Sequence, residues 1–392
     1  MPNTEPDNKA EPGIKTGHTP ILPPATIGII GGGQLGRMMA IAARQMGYRI
    51  AVLEPAPGGP LAQIADIEIN APYNDDAALH KLLDVSDVTT YEFENVSAET
   101  IDELAHYGNL PQGPRPVYIT QHRLREKDAI NAAGYATAPY ADASSPALLQ
   151  TAVTKIGYPA ILKTLTGGYD GKGQWVLKSE ADLPAALEVV AHAPCVLEGF
   201  VRFDKEISVI VTRSITGEVQ VFGPVENVHH NSILHLSSAP AGVTPSLAAK
   251  AREVGIGLME ALDFVGTLAI EMFVVGDQII INELAPRPHN SGHLTIDGYS
   301  VSQFEQHIRA ITGLPLVEPE LINPTIMVNL LGQHVGYALE KFQQPEFGWA
   351  KLHLYGKEEM KRDRKVGHLN FSHPDRQQLQ ATVNAFLADF PE

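Results

Sequence analysis

Three shortages narrow what this chain can be. It has one cysteine, Cys195, in 392 residues. No internal disulfide can form, and within APCVLEGFV the thiol reads as a small buried apolar side chain. No apolar run approaches the roughly 18 residues a membrane-crossing helix needs. The opening MPNTEPDNKAEPGIKTGHTP also lacks the apolar stretch of a secretory signal. That opening is polar and proline-rich, so residues 1–24 are expected to form a disordered tail, and a cytoplasmic, reducing location is expected for the chain. Positive charge is scarce too: 29 Lys and Arg against 45 Asp and Glu leave a net charge of −16. Nucleic acid and anionic membrane are therefore poor partners. Anionic small molecules stay open, because local charge binds them. With 44% hydrophobic residues, the chain can build two or three domains with ample cores. It shows no internal repeats.

The hydrophobic pattern sets the organisation. TIGIIG at 26–31 reads as a strand, GGGQLGRMMAIAARQMG turns into a helix, and YRIAVLEP is a second strand, a βαβ opening for an α/β domain. DVTTYEFENV reads as a later strand with a helix from about Ala98. PQGPRP at 111–116 marks a connection, and QHRLREKDAINAAG a helix leading into the next unit. Strands and helices alternate over 129–200. KEISVIVTRS, EVQVFGPVENV, TLAIEMFVV and QIIINEL are mostly antiparallel strands around a helix at about 245–262, an α+β lobe. VSQFEQHIRAITG is a helix, and from about 321 a small C-terminal piece has strands at IMVNLLG and KLHLYG.

The segment IIINELAPRPHNSGH carries the most chemistry. Behind an apolar strand it packs an acid, an arginine, two histidines and two amides. Glu271, flanked by apolar residues in LAIEMFVV, gives a second carboxylate. Glu271 and Glu283 with the Asn282 amide suit a hard cation such as Mg²⁺ that carries phosphates. Upstream, AILKTLTGGYDGKGQWVL places Lys163 at a strand end. Gly167, Gly168, Gly171 and Gly173 then surround Lys172 before a second strand. Glycine amides crowd around an anion and lysine adds charge, so a hairpin closing over phosphates is expected. It is not the P-loop, which needs Lys-Ser/Thr entering a helix. At the N-terminus Gly31, Gly33 and Gly36 match G-x-G-x-x-G, with Glu54 ending the second strand. That fingerprint supports a competing reading, an NAD-dependent dehydrogenase or a nucleotide sensor, although neither has a use for the hairpin and the paired acids. The backbone at Glu198, Gly199, Phe200 and Val201, a strand end, suits an adenine edge, and Glu206 suits ribose hydroxyls. His289 and His293 have zinc spacing only on a helix, which Pro286, Pro288 and Gly292 oppose. Glu92 and Glu94, two apart on a strand, face the same way, but nothing else supports a glycosidase-like acid pair. Lys357, Lys361, Arg362, Arg364 and Lys365 form a basic cluster unusual in so acidic a chain.

GGYDGKGQ, VLEGFV followed by Glu206, IEMF and INELAPRPHNSGH together resemble an ATP-grasp ligase. With IGIIGGGQLGRMMA, TTYEFENV, TQHRLREK, ENVHHNSILHLSSAPA and RKVGHLN, the chain from about 25 to 372 resembles the N5-carboxyaminoimidazole ribonucleotide synthetases of purine biosynthesis. The resemblance implies an ATP-grasp fold of α/β and α+β parts: a Rossmann-like substrate domain at 25–126, an ATP-grasp domain at 127–320 with its lid at about 129–200, and a small C-terminal domain at 321–392. It implies ATP-dependent carboxylation of aminoimidazole ribonucleotide by bicarbonate, with Mg²⁺ or Mn²⁺ on Glu271 and Glu283. It places ATP against Arg123, Lys163, the loop Gly168, Tyr169, Asp170, Gly171, Lys172, Gly173 and Gln174, the strand end Glu198–Val201, Glu206, His229, Asn282 and Glu283. Arg287, with Lys163 and Lys172, becomes catalytic. Gln34, Glu94, Arg287, His289, Asn290, Ser291, Lys357, Arg364 and Lys365 face the ribonucleotide and bicarbonate. A homodimer that hands its product to the N5-carboxyaminoimidazole ribonucleotide mutase is expected. Another ATP-grasp ligase, such as a formate-using glycinamide ribonucleotide transformylase, is the nearest alternative. The family usually shows Arg-Pro-Gly-Arg-Lys where this chain has Lys361-Arg362-Asp363-Arg364-Lys365.

Overall fold

The structure is a computed structural model that describes residues 19–168 and 171–391. Residues 1–18 of the expected tail, and the hairpin residues Tyr169 and Asp170, lie outside the described residues. Residues 19–24, counted with the tail on sequence grounds, contain an anchor instead. The Ile21 amide donates to Thr312 O at 2.9 Å, the Tyr48 hydroxyl donates to Ile21 O at 2.7 Å, and the Ile21 side chain packs on the N-terminal core.

Strands β1 (Thr26–Ile30), β2 (Arg49–Leu53), β3 (Ile67–Ile69) and β4 (Val88–Tyr91) form a parallel sheet in the order β3-β2-β1-β4. All five residues of β1 are buried because both faces of the sheet are covered. Helix α1 (Gln34–Gln45) packs on one face, and α2 (Asp76–Asp84) and α3 (Ala98–Tyr107) on the other. Asp75 and Ser97 start α2 and α3 by accepting the amides of Ala78 and Thr100. The strand read as DVTTYEFENV stops at Tyr91, so Glu92 and Glu94 are not strand neighbours sharing a face.

Helices α4 (Arg115–Thr120) and α5 (Arg123–Ala132) lead into an antiparallel sheet of β5 (Tyr140–Ala143), β6 (Ala160–Thr164), β7 (Gln174–Leu177) and β8 (Cys195–Gly199), ordered β5-β8-β6-β7. Its back is covered by α6 (Pro146–Ile156) and α7 (Leu183–His192) in a core that includes Cys195. The glycine segment joins β6 to β7 as a hairpin, with Lys163 paired opposite Gln174.

The largest sheet has nine strands. β9 (Lys205–Arg213), β11 (Val225–His230), β12 (Ile233–Ala239), β13 (Gly266–Val275) and β14 (Gln278–Ala285) continue into β15 (Thr325–Leu331), β16 (Lys351–Leu354) and β17 (Lys365–Ser372), with β10 (Val219–Val221) beside β9. The order is β14-β13-β9-β11-β12-β15-β17-β16. The small C-terminal piece has its own core under α11 (Val335–Phe342) and α12 (Arg376–Leu387). Its strands nevertheless extend the central sheet, through β12 pairing with β15. Helix α8 (Pro245–Leu262) covers the other part of the sheet. After the short α9 (Thr295–Gly298), helix α10 (Gln303–Thr312) ties the two halves together. Phe304, Ile308 and Ile311 pack into the α1 core, and His307 bonds Thr90 on β4 and Thr267 on β13.

Candidate active site

Two cavities meet where the three sheets converge. The larger, about 860 Å³, is walled by the α1 N-terminus, the β4–α3 loop, the glycine hairpin, the loop after β14 and the basic loop before β17. The smaller, about 570 Å³, lies between β6, β9, β11, β13 and β14. Arg123, Glu283, His289, Asn290 and Lys365 line both, so the two spaces are one site with a shared waist.

The waist is built by a strand irregularity. Along the β13–β14 ladder Glu271 pairs with Glu283, but Met272 pairs with Ile281, leaving Asn282 as an extra residue. Such a bulge re-aims side chains, and Asn282 and Glu283 both face the smaller cavity although they are consecutive. Burial and then the charge of Glu283 push the Glu271 carboxyl up to about 8. Arg123 lies 3.6 Å from Glu283, and His289 Nε2 3.6 Å from Glu271. Two facing carboxylates and an amide form an all-oxygen donor set, short of ligands on its own, which fits Mg²⁺ or Mn²⁺ completed by phosphate and water oxygens. Among the described residues no group of three His, Cys, Asp or Glu side chains is placed to hold a metal ion.

Along the smaller cavity, Lys163 donates to Glu198 at 2.9 Å and His229 Nδ1 meets Glu206 at 2.6 Å. Burial works against charge on His229, but the Glu206 contact outweighs it and raises the imidazole. Gln174 and Gly171 close one end, and a side chain on Gly171 would strike Ser232 at 2.5 Å. Gly171 and Gly173 have φ of +75° and +72°, so this approach needs glycine. The strand end expected to meet an adenine edge has part of its backbone in use. Gly199 and Phe200 spend their amides on Pro139 O and Pro159 O, the Glu198 carboxylate points into a lysine pair, and neither cavity is lined by Gly199, Phe200 or Val201. The apolar wall is Ile161 with Phe203 and Phe273, whose rings stack at 4.6 Å.

The larger cavity gathers Gln34, Glu94, Gly168, Lys172, Arg287, His289, Asn290, Lys357, Arg364 and Lys365. Arg287 clasps Glu94 with two nitrogens, Nε to one oxygen and a terminal nitrogen to the other at 3.1 Å. Burial opposes charge on Glu94, yet the Arg287 fork holds the carboxyl below its ordinary range. Asn290 is buried with both side-chain polar atoms unpaired, so the wall presents one donor and one acceptor to the cavity. Ser291 is the exception among the expected contacts. It is fully buried and lines neither cavity, its hydroxyl accepting from Ser208 at 2.8 Å beside His289 Nδ1 at 3.0 Å, so it orients the imidazole instead. The basic loop keeps a glycine-like turn without glycine. Asp363 has φ of +61°, accepts from Gln333 Nε2 at 3.1 Å and returns its amide to Gln333 Oε1 at 3.0 Å. Aspartate tolerates this left-handed region better than most residues.

The dinucleotide fingerprint is already filled by the chain itself. The Glu92 carboxylate accepts the amides of Gly33 and Gly36, the latter at 2.7 Å, and Glu54 accepts Gly32 N at 2.7 Å. A pyrophosphate would need those donors, which removes the main support for a dehydrogenase. Two further residues escaped sequence reading. Glu126 and Lys127 stand three and four positions after Arg123 on α5, so all three share one helix face. That face is buried: Lys127 is 1% exposed, and Glu126, which accepts the Leu284 amide at 2.7 Å, is 3% exposed. The spacing was the available signal, since a charged face at helical period normally meets solvent.

The chain is similar to known proteins over most of its length. Residues 24–121 match the ribonucleotide synthetase preATP-grasp domain, 128–304 the ATP-grasp domain, and 325–382 the phosphoribosylaminoimidazole carboxylase C-terminal domain. The chain is 48% identical over 370 residues to the N5-carboxyaminoimidazole ribonucleotide synthase of Bacillus subtilis, covering 94% of this chain and 97% of that protein. It is 44% identical to the Brucella melitensis synthase, covering 90% and 97%. Among solved structures, an ADP complex of an N5-carboxyaminoimidazole ribonucleotide synthetase superposes with a TM-score of 0.91 at 50% identity, covering 94% of this chain and 97% of that one. The Aspergillus clavatus synthase with ADP and 5-aminoimidazole ribonucleotide superposes at 0.86 and 31% identity, covering 93% and 98%.

Proposed function

We propose the following from the premise that this chain belongs to the N5-carboxyaminoimidazole ribonucleotide synthetase family of ATP-grasp ligases. The chain is an ATP-dependent carbon–nitrogen ligase that carboxylates 5-aminoimidazole ribonucleotide with bicarbonate, giving N5-carboxyaminoimidazole ribonucleotide, ADP and phosphate in purine biosynthesis. The observation that carries the assignment of parts is the shared waist, where one cavity rich in phosphate-binding groups opens into another rich in anion- and amide-binding groups.

In this reading ATP fills the smaller cavity. Lys163 and Arg123 neutralise its phosphates, Lys172 meets their outer end from the larger cavity, and the Glu206–His229 pair faces its ribose. Mg²⁺ or Mn²⁺ on Glu271 and Glu283, when bound, neutralises charge on the phosphates. A bicarbonate oxygen attacks the γ-phosphorus at the waist, forming carboxyphosphate and releasing ADP. The exocyclic amine of the ribonucleotide then bonds to the carboxyl carbon, the carbon–oxygen bond to phosphate breaks, and the amine loses a proton. Phosphoryl transfer asks the protein mainly for positioning and charge. Arg287, fixed by Glu94, and Asn290 supply a fork and an amide at the place where the small anion must sit. Arg364, Lys365 and Lys357 hold the ribonucleotide phosphate on the far wall, and Gln34 contacts its sugar side. The glycine hairpin closes over the phosphates and keeps water from the mixed anhydride.

The same reading makes the working unit a cytoplasmic homodimer whose product passes to the mutase. No helix of the described residues is long and apolar enough to cross a membrane. Oxygen-18 supplied in bicarbonate should appear in the released phosphate, and ADP release should require both bicarbonate and aminoimidazole ribonucleotide. Wholly unlabelled phosphate during coupled turnover rules out carboxyphosphate.

A further inference from the structure

Behind the smaller cavity lies a charge group that the reaction does not explain. Glu198, on β8, is held between two lysines. Lys163 Nζ donates to one carboxylate oxygen at 2.9 Å, and Lys127 Nζ lies 3.1 Å from the other as an ion pair without hydrogen-bond geometry. The three side chains are 7%, 1% and 4% exposed for Lys163, Lys127 and Glu198. Lys163 lines the cavity, whereas Lys127 lines neither cavity. Glu126, beside Lys127 on α5, is pushed up to about 8 by burial and is largely protonated near neutral pH, so the two lysines face one buried carboxylate, and their surplus positive charge is costly to bury unless an anion arrives to meet it.

We propose that Lys127 is a positioning residue for the nucleotide: by setting a second cation against Glu198, it stops that carboxylate from neutralising Lys163, whose charge stays available to the ATP phosphates. With Lys127 absent, Glu198 and Lys163 would close into a neutral pair. In such a one-to-one pair each charge is spent on the other, which holds the lysine away from a third partner. Lys127 therefore acts through Lys163 without touching ligand. Its place on α5, one turn past Arg123, couples it to the helix that also delivers Arg123 to the waist. The inference rests on the reading that ATP fills the smaller cavity.

The test is binding of ADP by calorimetry, together with the steady-state KM for each substrate. Lys127→Met should weaken ADP by about tenfold and raise the KM for ATP, leaving the KM for aminoimidazole ribonucleotide within about twofold. Lys127→Arg, which keeps a cation on Glu198, should recover most of the loss. In a Glu198→Gln background the carboxylate has no charge to compete with, so Lys127→Met should change ADP binding less than threefold there. If Lys127→Met alone does not fold, the Glu198→Gln background carries the test by itself, and a tenfold loss on adding Lys127→Met there overturns the proposal. The same tenfold loss in both backgrounds would overturn the proposal and make Lys127 a direct contact or a general structural support. So would unchanged ADP binding in a folded Lys127→Met. If the wild-type protein fails to bind ADP, the nucleotide reading itself falls, and the proposal with it.

Discussion

His307 provides a quantitative test of the joint between the two halves. It is fully buried, and its ring is bonded at both nitrogens. Thr267 N donates to Nδ1 at 3.1 Å, so Nδ1 must be the acceptor and Nε2 must carry the proton towards Thr90 Oγ1 at 2.9 Å. Thr90 in turn donates to Gln112 Oε1 at 2.6 Å. Protonating Nδ1 would set an imidazolium against an amide hydrogen with no counter-charge, and burial lowers the group from its ordinary 6.5 to about 3. The sign follows: between those values the unfolded chain binds the proton and the folded chain does not. The stabilising effect is therefore complete above about pH 6.5 and is lost as pH falls towards 3. From about pH 7 to about pH 5 the loss from this one group is about 2 kcal/mol. His307→Asn, which keeps an acceptor but cannot titrate, should be less stable than wild type near pH 7 by roughly 1–3 kcal/mol through imperfect fit and lost bonds. By about pH 5 most of that difference should be gone. Guanidinium unfolding of both proteins at the two pH values, with amide exchange at Thr267 as a local probe, measures it. A wild-type-minus-variant difference that stays constant across the range would show that His307 is not held neutral, and the bonding order inferred through Thr90 and Thr267 would be wrong.

Glu283→Gln should cut turnover by about 10²-fold or more while the fold survives, because it removes half of the carboxylate pair at the waist; near-normal turnover at limiting Mg²⁺ would take Glu283 out of the site. Arg364→Ala should raise the KM for aminoimidazole ribonucleotide by about tenfold, the low end for a lost charge-assisted bond, with the KM for ATP unchanged; the opposite pattern in steady-state kinetics would refute the phosphate clamp. Asp363→Gly should leave the ribonucleotide KM within about twofold, since glycine accepts φ of +61°. Asp363→Val should raise it several-fold, because a β-branched residue strains there; equal behaviour of the two variants would mean the turn does not place Arg364.

How far the sequence could be read depended on how far apart the interacting residues are. The paired acids and the glycine hairpin were legible because their residues are neighbours along the chain, and the βαβ opening because its period is local. Pairings between distant segments were not. Arg287 and Glu94 are 193 residues apart, so each was assigned to ligand separately, and nothing local says that they clasp each other first. Glu92 was placed on a strand because TTYEFENV alternates well. The strand ends at Tyr91, and the Glu92 carboxylate is captured by the amides of Gly33 and Gly36, 59 and 56 residues earlier. The same capture removes the dinucleotide reading, so a motif exact in spacing is cancelled by one distant side chain. Strands β12 and β17 went unread for a related reason: each lies between two neighbours in the central sheet, and their polar residues Ser237, His368 and Asn370 are buried where solvent-facing positions would be expected. Lys127 extends the argument. A lysine on a helix face normally marks the solvent side, yet here it is among the least exposed charges because Glu198 arrives from a strand some 70 residues later to meet it. Buried charge in this chain thus reports a long-range partner, and the site was legible to the extent that such partners happened to be close in sequence.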